Sequence, residues 1–239
     1  MLRTWVFGLI ATLWAAAASA DTPPAAPSTP AAAPAQAPAP AAAPPRVRTE
    51  SGWVVGAPMG PALAFKAVPY AAPPVGSLRW RPPQPAPSWK DDRQAAADGP
   101  ACLQPINADG KPNGGGYVGP VSEDCLTLDV FAPPKAVKAP VMVWIFGGGN
   151  SAGADSIAPN DGRFFARDGV VLVAMNYRLG PLGWFAHPAL TREAGARAPL
   201  ANYGLMDQIA ALQWVKRNIA AFGGVNTSRV RQSSLIDPK

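Results

Sequence analysis

The sequence predicts an α/β fold in which short buried strands lie between layers of helix. Three apolar runs, rich in β-branched or aromatic residues and bounded by proline or glycine, indicate strands at 125–131, 141–146 and 170–176. The second and third runs are apolar on both faces, which is typical of strands that helices cover on either side. An amphipathic helix pattern follows the third run, so strand and helix alternate along this part of the chain.

The first twenty residues have the pattern of a signal peptide. Arg3 supplies the positive start, residues 6–18 are apolar, and Ala18-Ser19-Ala20 offers small residues for cleavage after Ala20. The apolar stretch is shorter than the roughly twenty residues of a membrane span, so we expect no stable membrane insertion. The predicted location is therefore secreted or periplasmic.

Residues 21–45 form a segment made almost entirely of Ala, Pro, Ser and Thr. This composition cannot bury enough apolar surface to offset the conformational entropy lost on folding. Its proline density favours an extended, polyproline-like chain. We expect a disordered Ala/Pro-rich linker between the signal peptide and the globular part.

The globular part is predicted to begin near residue 46. Val47, Trp53 and Val55 alternate with small or polar residues, and glycines punctuate them, which indicates a small β-hairpin region. The stretch 68–87 contains too many prolines for a helix or a central strand and is expected to be ordered coil. The glycine-rich stretch 110–119 lacks periodicity and is expected to be a loop.

The predicted helix follows the last strand. Its apolar residues recur at helical spacing, Asn202 is a candidate N-cap, and Gly223-Gly224 is expected to end it. The residues of the apolar stripe are Leu205, Ile209, Leu212, Trp214, Val215 and Ile219.

Composition excludes some classes of partner. The 239 residues are 48% hydrophobic, enough for one sizeable domain, and 21 Lys plus Arg against 15 Asp plus Glu give a net charge of +6. The basic residues form no long run and no stripe interleaved with aromatic residues, so nucleic acid is not expected as a partner. The mild positive charge is typical of a solvated surface.

Only two cysteines occur, Cys102 and Cys125. In an exported protein the oxidising compartment favours a disulfide between them. The alternative is a pair of buried free thiols, because cysteine is often buried for packing alone.

Three glycines follow the strand predicted at 141–146. Gly147-Gly148-Gly149 would place backbone N–H groups at a strand end with no side chain to obstruct them, which suits the binding of an oxyanion. Three glycines after a strand are also compatible with a tight turn alone.

The globular part resembles the type B carboxylesterase and cholinesterase family of α/β-hydrolases over nearly its whole length. The resemblance rests on several motifs in the family's order. They are Phe-Lys-Ala-Val-Pro-Tyr-Ala-Ala-Pro-Pro at 65–74 with Leu-Arg-Trp at 78–80, Ser-Glu-Asp-Cys-Leu-Thr-Leu-Asp-Val at 122–130, the glycine loop, Asn-Tyr-Arg-Leu-Gly at 176–180 with Leu-Gly at 182–183, Asn-Tyr-Gly-Leu-Met-Asp-Gln at 202–208 and Phe-Gly-Gly at 222–224.

The resemblance implies an ester-cleaving site. Members hydrolyse small-molecule carboxylic esters through a serine acyl-enzyme, without metal or cofactor, and the backbone N–H groups of Gly148 and Gly149 match two of the three oxyanion donors. The third belongs to the residue after the nucleophile. Phe146 stands where His or Tyr is frequent, and Asn150 replaces a more usual aromatic residue, which would alter the acyl or alcohol pocket.

The resemblance also implies two structural contacts. Cys102 and Cys125 match the first disulfide of the family, and Arg79 matches a residue that pairs with Glu123 beneath it. The alternative for Arg79 is a solvated surface charge.

The nucleophile of the family is not found where it is expected. After Gly224 the family continues with Asp-Pro, a short strand and a Gly-x-Ser-x-Gly elbow, whereas residues 225–239 form a divergent tail. Ser233 lies between Arg231 and Leu235, where the strained elbow requires glycines. His187, the single histidine, falls in a loop segment and is not expected to act as a base.

The sequence therefore predicts residues 46–224 to be the N-terminal portion of a carboxylesterase domain, an incomplete α/β-hydrolase fold without catalytic activity of its own. Loss of the central nucleophile strand would leave an unpaired edge and favour aggregation. Three origins fit: a frameshifted frame, a truncation, or a split gene with a complementing C-terminal half. The alternative function is a non-catalytic binding or adhesion module at the cell surface.

Overall fold

A computed structural model describes residues 43–111, 113–195 and 201–225. The predicted signal peptide, nearly all of the linker and all of the divergent tail except Val225 lie outside these residues. The strands are β1 (Arg46–Arg48), β2 (Trp53–Val55), β3 (Ala57–Met59), β4 (Ala62–Pro69), β5 (Arg93–Gln94), β6 (Ala101–Cys102), β7 (Val121–Ser122), β8 (Thr127–Ala132), β9 (Val141–Trp144) and β10 (Val171–Met175).

The helices follow or separate the later strands. The α-helices are α1 (Arg163–Arg167), α2 (Gly180–Trp184), α3 (Pro188–Ala194) and α4 (Tyr203–Asn218), and short 3-10 helices cover Gly76–Leu78, Ala158–Asn160 and Ile219–Phe222. In the ranges described, no helix has the length and apolar character that a membrane crossing requires.

A mixed five-stranded sheet with the order β3-β4-β8-β10-β9 organises the structure. The first three pairings are antiparallel, and β10 pairs with β9 in parallel. Strands β1 and β2 form the predicted antiparallel hairpin, which β5 extends in parallel, and β6 and β7 form a separate short pair. The combination of this mixed sheet with the helices that follow its strands confirms the predicted α/β fold class.

Helices cover the central strands on both faces. On one face Leu128, Val130 and Val173 belong to a buried cluster that includes Trp214 and Ile219 from the end of α4 and the turn after it. On the other face the buried residues are Phe131 and Leu172 from β8 and β10, Ala62 and Ala64 from β4, and Ala166 from α1. Strands β8 and β10 are consequently buried at every residue.

Strand β9 differs from the prediction that both of its faces are covered. Its residues alternate between half-buried and exposed, and Met142 and Trp144 are 41% and 38% exposed. The reason is its position, since β10 is its only sheet partner in the part of the chain that the structure describes. The apolar run was located correctly, but burial depends on neighbours that the run itself does not reveal.

Helix α4 occupies the predicted segment with a different buried face. Trp214, Val215 and Ile219 are buried as expected, whereas Leu205 and Ile209 are 46% and 47% exposed. Asn202 is the N-cap residue, as predicted, although its side chain makes no capping hydrogen bond. The helical segment ends at Gly223, whose φ of 82° lies in the left-handed region.

Candidate active site

The glycine loop begins shortly after β9, and its backbone angles favour glycine or asparagine at three consecutive positions. Gly148 has φ 124°, and a Cβ on it would lie 1.9 Å from the carbonyl oxygen of Ala152. Gly149 and Asn150 have φ 62° and 59°, in the left-handed region that glycine and asparagine tolerate best. The asparagine that departs from the family pattern therefore suits the conformation of its position.

The N–H groups of Gly148 and Gly149 are the two predicted oxyanion donors. Neither the N–H of Gly148 nor that of Gly149 has an acceptor within the described residues, and both glycines are exposed. The Gly148 carbonyl instead accepts from the N–H groups of Ser151 (3.1 Å) and Ala152 (3.3 Å). These two bonds close the loop as a tight turn without using the N–H of Gly148 or of Gly149, so a turn and an oxyanion-binding loop are compatible interpretations of the glycines.

The segment after β10 anchors this loop at several points. The Tyr177 hydroxyl donates to the Phe146 carbonyl at 2.6 Å, and the two rings stack with centroids 4.5 Å apart. The Gly180 N–H donates to the Asn150 carbonyl at 2.7 Å. Asn176 Oδ1 accepts from the Asp155 N–H at 3.0 Å. The Asn-Tyr-Arg-Leu-Gly motif thus has a physical role, which is to hold the glycine loop.

Arg178 of the same motif ties it to helix α4. Its guanidinium donates two hydrogen bonds of 2.8 Å to the Asp207 carboxylate, and its backbone N–H donates a third at 3.0 Å. Both side chains are almost completely buried. Burial raises the pKa of the Asp207 carboxyl, and the hydrogen bonds from Arg178 oppose that shift.

Cys102 and Cys125 form a disulfide, and Arg79 pairs with Glu123 near it. The guanidinium donates two hydrogen bonds of 2.6 Å and 2.5 Å to the carboxylate, and they lower the pKa of Glu123. The Arg79 side chain is still 40% exposed. It is therefore both paired and solvated, which limits its effect on stability.

Two buried aspartates close to the loop were not recognised in the sequence. Asp129 on β8 accepts from the Ala67 N–H at 2.9 Å through Oδ1, while its Oδ2 has no partner among the described residues. Burial raises the pKa of Asp129 to about 7. Burial and the nearby Asp129 raise the pKa of Asp155 well above its usual value. For Asp129 the available signal was an acidic residue within an otherwise apolar strand, whereas Asp155 lies outside the strands.

The remaining candidates do not complete a catalytic group. Ser233 lies outside the described residues. His187 is exposed, its Nδ1 accepts from the Ala189 N–H at 3.2 Å at the start of α3, and its ring stacks on Phe185. It therefore caps a helix. The part of the chain that the structure describes also contains no group of three or more His, Cys, Asp or Glu side chains suited to a metal ion.

A match to the elbow pattern was missed in the sequence analysis. Residues 149–153 read Gly-Asn-Ser-Ala-Gly, so Ser151 stands at the nucleophile position of Gly-x-Ser-x-Gly. Its hydroxyl donates to the Gly149 carbonyl at 3.2 Å, inside the tight turn. A nucleophile elbow joins a strand to a helix, whereas the next element here is the 3-10 helix Ala158–Asn160. The residues therefore match the sequence pattern of an elbow, but the backbone around Ser151 does not have the strand-to-helix geometry of one.

Comparison with known proteins identifies the family. The model of the carboxylesterase family matches residues 43–230. The chain belongs to this family. The matched region begins three residues before the predicted start of the globular part and ends six residues after Gly224.

The curated relatives are named as two esterases and a hydrolase. The chain is 45% identical to the cholinesterase of Mus musculus over an aligned length of 188, in an alignment that covers 74% of this chain and 30% of that protein. It is 43% identical over 178 residues to the fumonisin B1 esterase of Sphingopyxis macrogoltabida, covering 74% and 32% of the two chains. The phenmedipham hydrolase of Pseudarthrobacter oxydans is 41% identical over 183 residues, covering 75% and 35%.

Solved structures agree with the fold. A PNB esterase matches with a TM-score of 0.67 and 41% identity over 75% of this chain and 36% of that one. A carboxylesterase of Geobacillus stearothermophilus matches with a TM-score of 0.64 and 37% identity over 75% and 35%. The chain thus has the N-terminal portion of an α/β-hydrolase fold and spans about a third of the length of these relatives.

Proposed function

We propose that this chain supplies the oxyanion loop of a serine hydrolase that cleaves small-molecule carboxylic esters. The observation that carries the proposal is the pair of free N–H groups on Gly148 and Gly149, at the carboxyl end of β9. The donors are held by a closed turn and by anchors on both sides. Donors fixed before the reaction stabilise developing charge without a cost of reorganisation.

The proposed chemistry is acyl transfer. A serine hydroxyl would attack the ester carbonyl and pass its proton to the base of the complete enzyme, which places negative charge on the carbonyl oxygen, and the two N–H groups would donate hydrogen bonds to it. Collapse of this intermediate would break the carbonyl–alkoxy bond, and the leaving alcohol would take up that proton. Removal of one donor of this kind typically slows such a reaction about 10²- to 10³-fold. No metal or cofactor enters this step, because the backbone dipoles supply the electrostatic stabilisation.

We propose further that the 239 residues alone do not turn over esters. Ser151 is held in a turn, His187 caps a helix, and Ser233 lacks the flanking glycines of an elbow. A serine hydroxyl without an adjacent base is a poor nucleophile at neutral pH. Activity would require a portion that carries the nucleophile, acid and base.

The free edge of β9 is the place proposed for that portion. Gly224 forms a parallel bridge with Ala139, just before β9, and the Val225 N–H donates to the Ala139 carbonyl at 2.7 Å. The chain therefore leaves the described part alongside β9 and in the same direction. A further parallel strand on this edge would cover Met142 and Trp144.

The first experiment assays residues 21–239 against p-nitrophenyl acetate. We expect no turnover above the buffer rate. Turnover that is abolished by Ser151→Ala or by Ser233→Ala would overturn the proposal of inactivity. The downstream nucleotide sequence tests the origin, since a Gly-x-Ser-x-Gly motif in another frame would support a frameshift.

The second experiment tests the oxyanion loop in an active context. Residues 43–224 replace the equivalent segment of the PNB esterase, to which this chain is 41% identical. We expect the hybrid to hydrolyse p-nitrophenyl acetate. A folded hybrid without turnover would contradict the proposal that this loop is competent.

For the whole chain we propose the four segments that the sequence predicts. Residues 1–20 would be removed as a signal peptide during export, 21–45 would act as a linker, 46–224 would form the carboxylesterase portion, and 225–239 the divergent tail. Neither the described structure nor the named relatives supports the alternative of a binding module.

A further inference from the structure

Gln104 contacts the glycine loop at Gly153, a residue that the Asn-Tyr-Arg-Leu-Gly motif does not hydrogen-bond. It lies two residues after Cys102, and its side-chain amide makes two hydrogen bonds to a single residue of the loop. Nε2 donates to the Gly153 carbonyl and Oε1 accepts from the Gly153 N–H, both at 2.8 Å. Both backbone polar groups of Gly153 are thereby satisfied by one side chain.

The orientation of this amide is fixed by two further contacts. Oε1 also accepts from Asn113 Nδ2 at 2.7 Å, and Nε2 also donates to the Cys102 carbonyl at 3.1 Å. Each end of the amide therefore meets only partners of the complementary kind. A rotation that exchanged the oxygen and nitrogen would break all four hydrogen bonds.

Gly153 has little freedom to be held in another way. Its φ is 128°, and a Cβ at this position would lie 2.5 Å from the Phe146 ring. A glycine loop has a large conformational entropy, so its geometry depends on what binds its backbone. Gly153 is buried, and its N–H and carbonyl would otherwise remain unsatisfied away from water.

We propose that Gln104 is the positioning residue of the oxyanion loop. The inference rests on the proposed function, because it assigns to Gln104 the task of keeping the Gly148 and Gly149 donors in place. The disulfide fixes Cys102, Gln104 extends from that point, and its amide fixes the end of the turn that starts at Gly148. The Cys102–Cys125 disulfide is thus connected to the oxyanion donors through one side chain.

The test measures amide hydrogen exchange by NMR on the full chain. In Gln104→Met, which keeps the side-chain length and removes the amide, we expect exchange at the Gly153 N–H to rise at least tenfold. Gln104→Glu keeps an oxygen acceptor for that N–H but places a carboxylate oxygen against the Gly153 and Cys102 carbonyls, so we expect its exchange to rise by less than in Gln104→Met. Gln84→Met is the matched control, because the Gln84 side chain is exposed and, among the described residues, bonds only to the Pro82 carbonyl.

The hybrid esterase provides the second readout. A positioning role predicts that Gln104→Met lowers kcat at least tenfold with KM within twofold, and that Gln104→Glu recovers part of the loss. Unchanged exchange at Gly153 in Gln104→Met would overturn the inference. An equal rise at all amides would also overturn it, since that indicates general destabilisation. A hybrid with no turnover, combined with the expected exchange pattern, contradicts the proposed function and leaves the anchoring by Gln104 supported.

Discussion

Substitution of Gly148 by alanine should open the oxyanion turn. The new Cβ would lie 1.9 Å from the Ala152 carbonyl oxygen, at a backbone φ of 124°. Keeping the turn closed would cost about 1–3 kcal/mol of backbone strain and about 1–3 kcal/mol of overpacking. Opening it breaks two hydrogen bonds to the Gly148 carbonyl, about 1–3 kcal/mol together. Opening is the cheaper response, so we expect both donors to be displaced.

The assay compares three forms of the hybrid esterase. With Gly148→Ala, kcat for p-nitrophenyl acetate should fall at least about 10²- to 10³-fold, which is the effect of losing a single oxyanion donor, because both donors are displaced. Gly147→Ala is the matched control, since Gly147 has no positive φ and a Cβ there would meet nothing within 4 Å. We expect it to retain turnover. A Gly148→Ala hybrid that keeps kcat within threefold of the parent would refute this reasoning.

Three further predictions concern stability, measured by urea denaturation of the full chain. Asp207→Ala should lower the free energy of unfolding by about 3–5 kcal/mol, because it leaves a buried guanidinium without its partner, whereas Asp168→Ala at an exposed pair should leave the midpoint unchanged; equal midpoints would contradict this. Asp129 has a pKa of about 7 in the folded chain against 3.8 ordinarily, so its contribution to stability is present below about pH 4 and is lost as the pH rises to 7, by up to about 4 kcal/mol. Asp129→Asn should therefore match wild type at pH 4 and be more stable at pH 8, and the reverse order would disprove the assignment. Replacing Cys102 and Cys125 together by alanine should cost about 3 kcal/mol, from the entropy of the unfolded loop between residues 23 apart; a variant within 0.5 kcal/mol of wild type would argue against that origin.

Much of the fold could be predicted from local pattern. The three apolar runs became β8, β9 and β10, and the periodic segment became α4, because strand and helix periodicity are properties of neighbouring residues. The apolar pattern of α4 predicted that Leu205 and Ile209 are buried, but both are exposed. Asp207, which lies between them, is buried instead. The buried face of a helix is the one that packs against neighbouring elements. In α4 this face includes Asp207, because the buried Arg178 after β10 needs a carboxylate partner.

The candidate site was predictable only in part. Gly148 and Gly149 could be named as donors because glycine after a strand is a local signal and the family motif gives its context. The two hydrogen bonds from Gln104 to Gly153 join residues 49 positions apart, and no spacing in the sequence indicates them. The burial of Asp129 was equally hidden, since a single acidic residue in a strand is compatible with either face.

The sequence by itself determined the family, the strand and helix positions and the glycine loop, all of which depend on residues close together in the chain. Only the tertiary structure decided which groups hold that loop and which remain free. Tyr177, Gly180 and Gln104 satisfy the carbonyl and N–H groups around it, and the Gly148 and Gly149 donors are left over. Availability of a donor is decided by every acceptor within reach, which is a property of the folded chain.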